Sequence, residues 1–304
     1  MQEYTLKVQP AEAGMRLDVF LADFSSKHKL GLSRTFIQSL IKNGSVSSSG
    51  LALAKPHYKV KARDEIKVVI EEKKDSVPQA EEIPLDIVYE DDDLAVINKQ
   101  AGLVVHPAPG NYEHTLVNAL LHRFKKLSDV NPERPGIVHR LDKETSGIMV
   151  VAKNNFAHHA LSEQFAKHTI KRTYIALVKG RVEFDADVIE LPIARHPVKR
   201  KNMAVSFSEQ AKFARTLYRT LKRTKEFSLV ELKPHTGRTH QLRVHLAFLG
   251  HPILGDKKYG KHNEFVRMAL HAKSLGFTHP RTGKFIEFSS DIPAEFKVFI
   301  ENIT

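Results

Sequence analysis

The polar run HRLDKETSG, residues 139 to 147, stands between the apolar residues 136 to 138 and the strand-like run IMVVA at 148 to 152. A loop tied directly to a buried strand is held rigidly, which suits an acid that must be aimed at a reacting atom. Asp142 is the candidate. The same residue types also suit a plainer role, in which Asp142 and Thr145 organise a tight turn ending at Gly147. A second polar cluster, HTGRTHQLRVHLAFLGHPILGD, covers 235 to 256. Within it Thr239 is placed to cap a helix with apolar positions at Leu242, Leu246 and Leu249, leaving Arg238 and Arg243 for an anion or a carboxylate. An arginine against Asp142 would fix the direction of its carboxylate. Two ordinary surface arginines would show the same spacing.

Other chemistries find less support. The chain has 17 histidines, but His235, His240 and His245 are five residues apart, so on a helix they diverge by roughly 140°. His158 and His159 are adjacent and point apart, there is no HExxH, and no metal site is expected. Absence of cysteine excludes disulfides, thiolate catalysis and cysteine-held metals. The dinucleotide, P-loop and serine-hydrolase glycine patterns are missing, so neither a nucleotide cofactor nor serine hydrolysis is expected.

The elements that must position these residues follow from periodicity and charge. With 304 residues the chain exceeds one ordinary domain, and 47 Lys and Arg against 35 Asp and Glu give +12, an excess that attracts polyanions: RNA, DNA or an acidic membrane surface. No apolar run approaches a membrane span, and the first residues lack a signal peptide's hydrophobic stretch, so a soluble, cytoplasmic protein is expected. Residues 1–70 form a basic module. Leu17, Phe20, Leu21 and Phe24, then Phe36, Ile37, Leu40 and Ile41, recur at helical spacing. Ser33 is placed to cap the second helix, which carries Arg34, Gln38 and Lys42 on one polar face. Two helices and a small β segment are expected. Residues 71–82 have almost no large apolar side chain and read as a linker. From 83 to 304 the runs LAVIN (94 to 98), IMVVA, YIALV (174 to 178) and FSLVEL (227 to 232) alternate irregularly with helical patterns at 115 to 124 and 155 to 168. That succession predicts an α+β domain with a mainly antiparallel or mixed sheet.

The run HRLDKETSGIMVVAKN resembles the signature of the RluA/RluD-type pseudouridine synthases. INKQAGLVVHPAPG (97 to 110), KRTYIALVKG (171 to 180) and HTGRTHQLRVHLAFLGHPILGDKKYG (235 to 260) accompany it in the family's order. The N-terminal module is similar to the RNA-binding domain named after small-subunit ribosomal protein four, in RLDVFLA, SRTFIQSLIKNGSV and DEIKV. Departures are Ser49 before Gly50 where an asparagine is usual, Arg63 and Asp64 in place of Gly-Asp, and Gln100 in place of proline.

The resemblance implies isomerisation of uridine to pseudouridine in ribosomal RNA, specifically large-subunit 23S rRNA, within a central RNA-binding cleft and without a cofactor. It maps the catalytic aspartate onto Asp142, its arginine partner onto Arg243 and the cleft tyrosine onto Tyr174. Arg140, two residues before Asp142, is expected beside an extruded nucleotide or on a phosphate. Arg238, Arg34 and Lys42, with Lys55, Lys59 and Lys61, are expected to hold RNA. A monomer with no membrane attachment is expected.

Overall fold

The structure, a computed structural model, describes residues 2–28, 30, 32, 34–70, 78–108, 111–260 and 265–302. The expected cap Ser33, residues 71–77 of the expected linker and the end of the HPAPG run lie outside the described residues. The chain divides into two compact units, Met1–Asp75 and Ser76–Thr304.

In the first unit β1 (Gln2–Lys7), α1 (Leu17–Lys27), α2 (Arg34–Lys42), β2 (Val46–Ser48), β3 (Leu51–Ala52) and β4 (Glu65–Ile70) follow one another. The strands form a sheet in the order β1-β4-β2-β3. Its core is made by Leu17, Phe20 and Leu21 of α1 and Ile37, Leu40 and Ile41 of α2 packing with Ile66 and Val68 of β4. The helical spacing thus does bury one face of each helix. Strand β1 adds to the expected two helices and β segment. Its signal is the alternation Tyr4, Leu6, Val8, a period of two.

The backbone is left-handed at the departures from the family's turn residues. Ser49 (φ 48°) and Gly50 (φ 80°) both take left-handed backbone between β2 and β3, as a two-residue I′ hairpin requires. Arg63 does the same at φ 70°. A non-glycine residue there costs about 1 kcal/mol, which a small packed sheet can absorb.

In the second unit the elements are β5 (Ile87–Glu90), β6 (Leu94–Lys99), α3 (Leu116–Arg123), β7 (Ser146–Ala152), α4 (Asn155–Ala166), β8 (Lys171–Lys179), β9 (Ala186–Glu190), β10 (Ile193–Arg195), β11 (Met203–Val205), β12 (Arg215–Arg223), β13 (Phe227–Pro234), α5 (Gln241–Phe248), β14 (Leu270–Thr278), β15 (Phe285–Ser289) and α6 (Ala294–Asn302). The large sheet runs β5-β6-β7-β14-β8-β13-β12-β9, with β15 on β14. Every pairing in it is antiparallel except β7 with β14. The sheet is therefore mixed and mainly antiparallel, as expected.

Its middle strands are apolar on both faces because both faces are covered. Ala95, Ile97, Met149 and Val151 pack with Leu116, Val117 and Leu120 of α3. Leu94, Val96, Ile148 and Val150 pack the other way, with Ala157 and Leu161 of α4. Asn154 starts α4 by accepting the Ala157 N–H at 2.9 Å, an N-cap. Residues 79 and 81 tie back to α3: Asn118 donates to the Gln79 carbonyl at 2.7 Å and accepts, through its own carbonyl, the Glu81 N–H at 3.0 Å.

Candidate active site

Strand β14 is the piece that assembles the site. On one side its Ala272 lies opposite Gly147 of β7, and on the other opposite Tyr174 of β8. The loop leading into β7 and the head of β8 are thereby brought together across one strand. Tyr174 in turn faces Leu232 of β13, and β13 leads into α5. Gly147 is required by this arrangement. A Cβ there would meet the Ala272 carbonyl oxygen at 2.2 Å, and φ is +117°, so no other residue lets the two backbones approach so closely. The plainer reading of Asp142 and Thr145 as turn makers is partly met, since Thr145 N–H donates to the Asp142 carbonyl at 3.1 Å. Gly147 itself is strand.

Arg243, on the buried face of α5, joins two carboxylates. Its Nη1 donates to Asp142 Oδ2 at 2.8 Å, while Nε and Nη2 donate to Asp256 Oδ2 and Oδ1 at 2.8 and 2.9 Å. Burial opposes the guanidinium charge, but the bonded Asp256 and Asp142 outweigh it and push its pKa up. Burial also opposes the Asp256 charge, and Arg243 with the N–H groups of Lys258 and Tyr259 outweighs that in turn, holding its carboxyl below the usual range. Asp256 is 1% exposed and Asp142 21%. The fork of Arg243 is fixed from behind by a carboxylate with both oxygens occupied, so its remaining N–H can only point at Asp142. Asp142 Oδ1 takes no donor among the described residues and is left to the cleft.

That cleft has a volume of about 530 Å³ and is lined by Arg140, Asp142, Tyr174, Arg238 and Arg243, among others. Tyr174 packs under both flanking cores. Burial raises its phenol pKa, Arg172 opposing and Asp142 adding to the rise. Its hydroxyl has no partner among the described residues, unlike a structural tyrosine. Arg140 is exposed, with Nη1 3.4 Å from His106 Nε2. Arg238 donates through Nε to the Phe213 carbonyl at 2.9 Å. Arg34 and Lys42 belong to the first unit and are treated there: Arg34 Nη2 bonds Asp18 at 3.1 Å, and Lys42 is exposed in the last turn of α2.

One expectation at α5 fails. Thr239 does not cap the helix; His240 is the cap residue, in left-handed backbone at φ 56°, with no side-chain cap. The helix is anchored instead by Gln241, which accepts from Arg238 N–H (3.0 Å) and Thr236 Oγ1 (2.7 Å) and donates to the Arg215 carbonyl (2.9 Å). The sequence reading also passed over Asp256, although a buried arginine needs a balancing charge and Asp256 closes the same quoted block. Lys99 was missed too. It is 2% exposed and donates to the carbonyls of Gln100, Leu103 and Lys143 at 2.9, 2.9 and 3.1 Å, clamping the loop after Asp142. Burial pushes it down to about 8. Because Gln100 contributes its carbonyl, its side chain is free to differ from proline.

Of the three closely spaced histidines only His245 lies within α5. His235 lies against His168 at 5.2 Å, His240 faces Tyr259, and His245 bonds Thr216 and Leu191. Asp91, Asp93 and His279 place ligand-type atoms within 4.8 Å of one another. Their carboxylates already accept from Tyr89, His279, Asn154 and Arg281, so the cluster clasps two turns together and presents no open donor set.

A carboxylate fixed by a buried arginine, in a cleft that arginines and a tyrosine also line, is an arrangement an enzyme can use. Residues 93–248 match the RNA pseudouridylate synthase family, and the chain belongs to it. It is 42% identical to the RNA pseudouridine synthase YlyB of Bacillus subtilis, covering 100% of this chain and 99% of that one. It is 44% identical to ribosomal large subunit pseudouridine synthase D of Zymomonas mobilis, covering 95% and 93%. Among solved structures, human RNA pseudouridylate synthase domain containing 1 is 30% identical with a TM-score of 0.58, over 68% of this chain and 83% of that one. No described helix is long and apolar enough to cross a membrane.

Proposed function

We propose that this pseudouridine synthase modifies uridines of large-subunit ribosomal RNA, and that Asp142 is its catalytic carboxylate. The observation that carries the assignment is the one-sided grip on Asp142, a residue lining the cleft: Oδ2 is held by Arg243, and Oδ1 takes no donor among the described residues. The RNA class is supported by 44% identity, over nearly the whole chain, to a protein named for the ribosomal large subunit.

In the isomerisation the bond from C1′ to N1 breaks, the uracil turns, C1′ bonds to C5, and the C5 hydrogen leaves as a proton that passes to water while N1 takes a proton from water. The reaction is redox-neutral. Asp142 acts on the sugar or the base as nucleophile, or on the sugar as general base. Arg243 orients it, and Tyr174 stacks on the uracil, with its protonated hydroxyl near the departing C5 hydrogen. Arg140, exposed at the cleft, contacts RNA beside the extruded nucleotide, and Arg238 adds a phosphate contact. The N-terminal unit supplies affinity through Lys42, Lys55, Lys59 and Lys61, all exposed, and contributes no reacting group. The enzyme works in the cytoplasm as a monomer without metal or nucleotide cofactor.

Mapping pseudouridines in ribosomal RNA from cells lacking the protein tests this reading. Loss of one or more large-subunit sites, restored by the wild-type gene and not by Asp142→Asn, is expected. An unchanged large-subunit map would refute the RNA assignment. Turnover unaffected by a chelator is expected, and its recovery only on adding a metal ion would refute the cofactor-free reading.

A further inference from the structure

His240, missed at the sequence level except as a failed metal ligand, stands directly over the reactive pair. Its backbone is left-handed, φ 56° and ψ 21°, a conformation uncommon outside glycine and asparagine and concentrated at functional sites. The ring is held between two elements. Nδ1 lies 2.8 Å from the Tyr259 hydroxyl, and Nε2 lies 3.9 Å from Asp142 Oδ2. Tyr259 itself sits 5.0 Å from the Arg243 guanidinium across its ring face. Its hydroxyl accepts the N–H of Met203, on β11, at 2.8 Å.

This chain of contacts favours one tautomer. The Tyr259 oxygen already accepts from Met203, and among the described residues its own proton has one acceptor in reach, His240 Nδ1. With that proton given to Nδ1, the neutral imidazole bears its own proton on Nε2, the nitrogen 3.9 Å from Asp142 Oδ2. Burial pushes the imidazole down to about 4; Arg243 and Lys258 add to that, Asp142 and Asp256 oppose it. The ring is neutral at pH 7. At 3.9 Å its N–H is about 1 Å short of a hydrogen bond.

We propose that His240 is a positioning residue for Asp142: Tyr259 holds it in the Nε2–H tautomer, and that N–H engages Oδ2 as the carboxylate turns toward the substrate. The inference rests on Asp142 being the reacting group. Two donors on Oδ2 direct reaction through Oδ1. A neutral donor does this without placing a second cation beside the carboxylate. The Tyr259 ring would stay in place without its hydroxyl, so Tyr259→Phe isolates the hydrogen bond from the packing.

The experiment uses full-length protein labelled with ¹⁵N-histidine, the His240 signals being assigned by their loss in His240→Gln. Long-range ¹H–¹⁵N spectra at pH 7 should show His240 as the neutral Nε2–H tautomer in wild type, and a mixture of tautomers in Tyr259→Phe. An imidazolium, or the Nδ1–H tautomer in wild type, would overturn the proposal. Glutamine can present an N–H where Nε2–H stood and methionine cannot, while both bear the same backbone strain. A neutral hydrogen bond is worth up to about tenfold in rate, so His240→Met should lower kcat roughly tenfold and His240→Gln by less than about threefold, with KM moving less than about threefold in both. Equal loss of kcat in the two, or a loss confined to KM, would also overturn it. Should His240→Met not fold, a several-fold fall in kcat for Tyr259→Phe carries the kinetic test. Full turnover by Asp142→Asn would instead remove the functional reading, and the wild-type tautomer would still report on the His240 and Tyr259 arrangement.

Discussion

Asp18 in the N-terminal unit and Asp142 in the catalytic unit are both gripped by arginine, to opposite ends. Asp18 has a fully buried side chain whose oxygens accept from Arg16, Arg34 and Gln38 at 2.8 to 3.3 Å. Burial opposes its charge, and these donors outweigh burial, lowering its pKa to about 2. Nothing is left over for a substrate. Asp142 is held by one oxygen from one side, and its other oxygen takes no donor among the described residues. A saturated carboxylate ties α1 to α2; a half-satisfied one, braced by a neighbour such as Asp256 that is itself saturated, is equipped to react.

Removing the brace should have a large effect. Arg243→Ala leaves Asp256 buried without its cation and Asp142 without direction. A fall in kcat of at least about a hundredfold is expected in single-turnover assays, with destabilisation of about 3–5 kcal/mol in denaturant titrations. An effect on RNA affinity alone would show that the pairing does not serve the chemistry. The counterpart, Asp18→Ala, should cost only about 1–2 kcal/mol, because Arg16 and Arg34 remain half exposed and screened. Turnover at saturating RNA should persist. A loss of saturating kcat in a folded Asp18→Ala protein would erase the distinction between the two aspartates.

Acid should separate the units in the same sense. Burial holds His139 down to about 3 and His106, His240 and His271 down to about 4. Between pH 6.5 and 4 the unfolded chain therefore binds more protons than the catalytic unit, and that unit's stability falls as pH falls. Asp18 has a folded pKa below its unfolded value, so its contribution is present above pH 4 and is lost only between about pH 4 and 2. Hydrogen exchange followed by mass spectrometry should show the catalytic unit opening first on acidification; the reverse order would contradict these environments. The smallest effect is expected from Lys59→Gln and Lys61→Gln, each lowering the salt slope of RNA binding by about 1 without changing saturating kcat. An unchanged slope would remove these lysines from the interface.

The same contrast shows what the chain made legible. Asp142 was marked by a polar run set against an apolar strand, both local features, and the mixed sheet by strand-like runs of the right length. The partnership with Arg243 came from family resemblance, because 101 residues separate the pair and spacing carries no such information. Arg34, expected to hold RNA, shares a helix face with Gln38 and Lys42 and keeps 57% of its side chain exposed. Its partner Asp18 lies on the other helix, so periodicity within α2 is blind to it. Thr239 had the residue type of a cap, yet the cap position went to His240, in left-handed backbone and with no side-chain cap. Tertiary demands decided each of these cases, and they concentrate where function is built.

The most direct test compares two isosteric changes on one RNA. Tritium release from ribosomal RNA labelled at uridine C5 should fall below about one hundredth of wild type for Asp142→Asn, with its melting temperature and RNA affinity nearly unchanged. It should remain at the wild-type saturating rate for Asp18→Asn. Turnover by Asp142→Asn above that level would contradict the assignment of Asp142 as the residue on which the reaction depends.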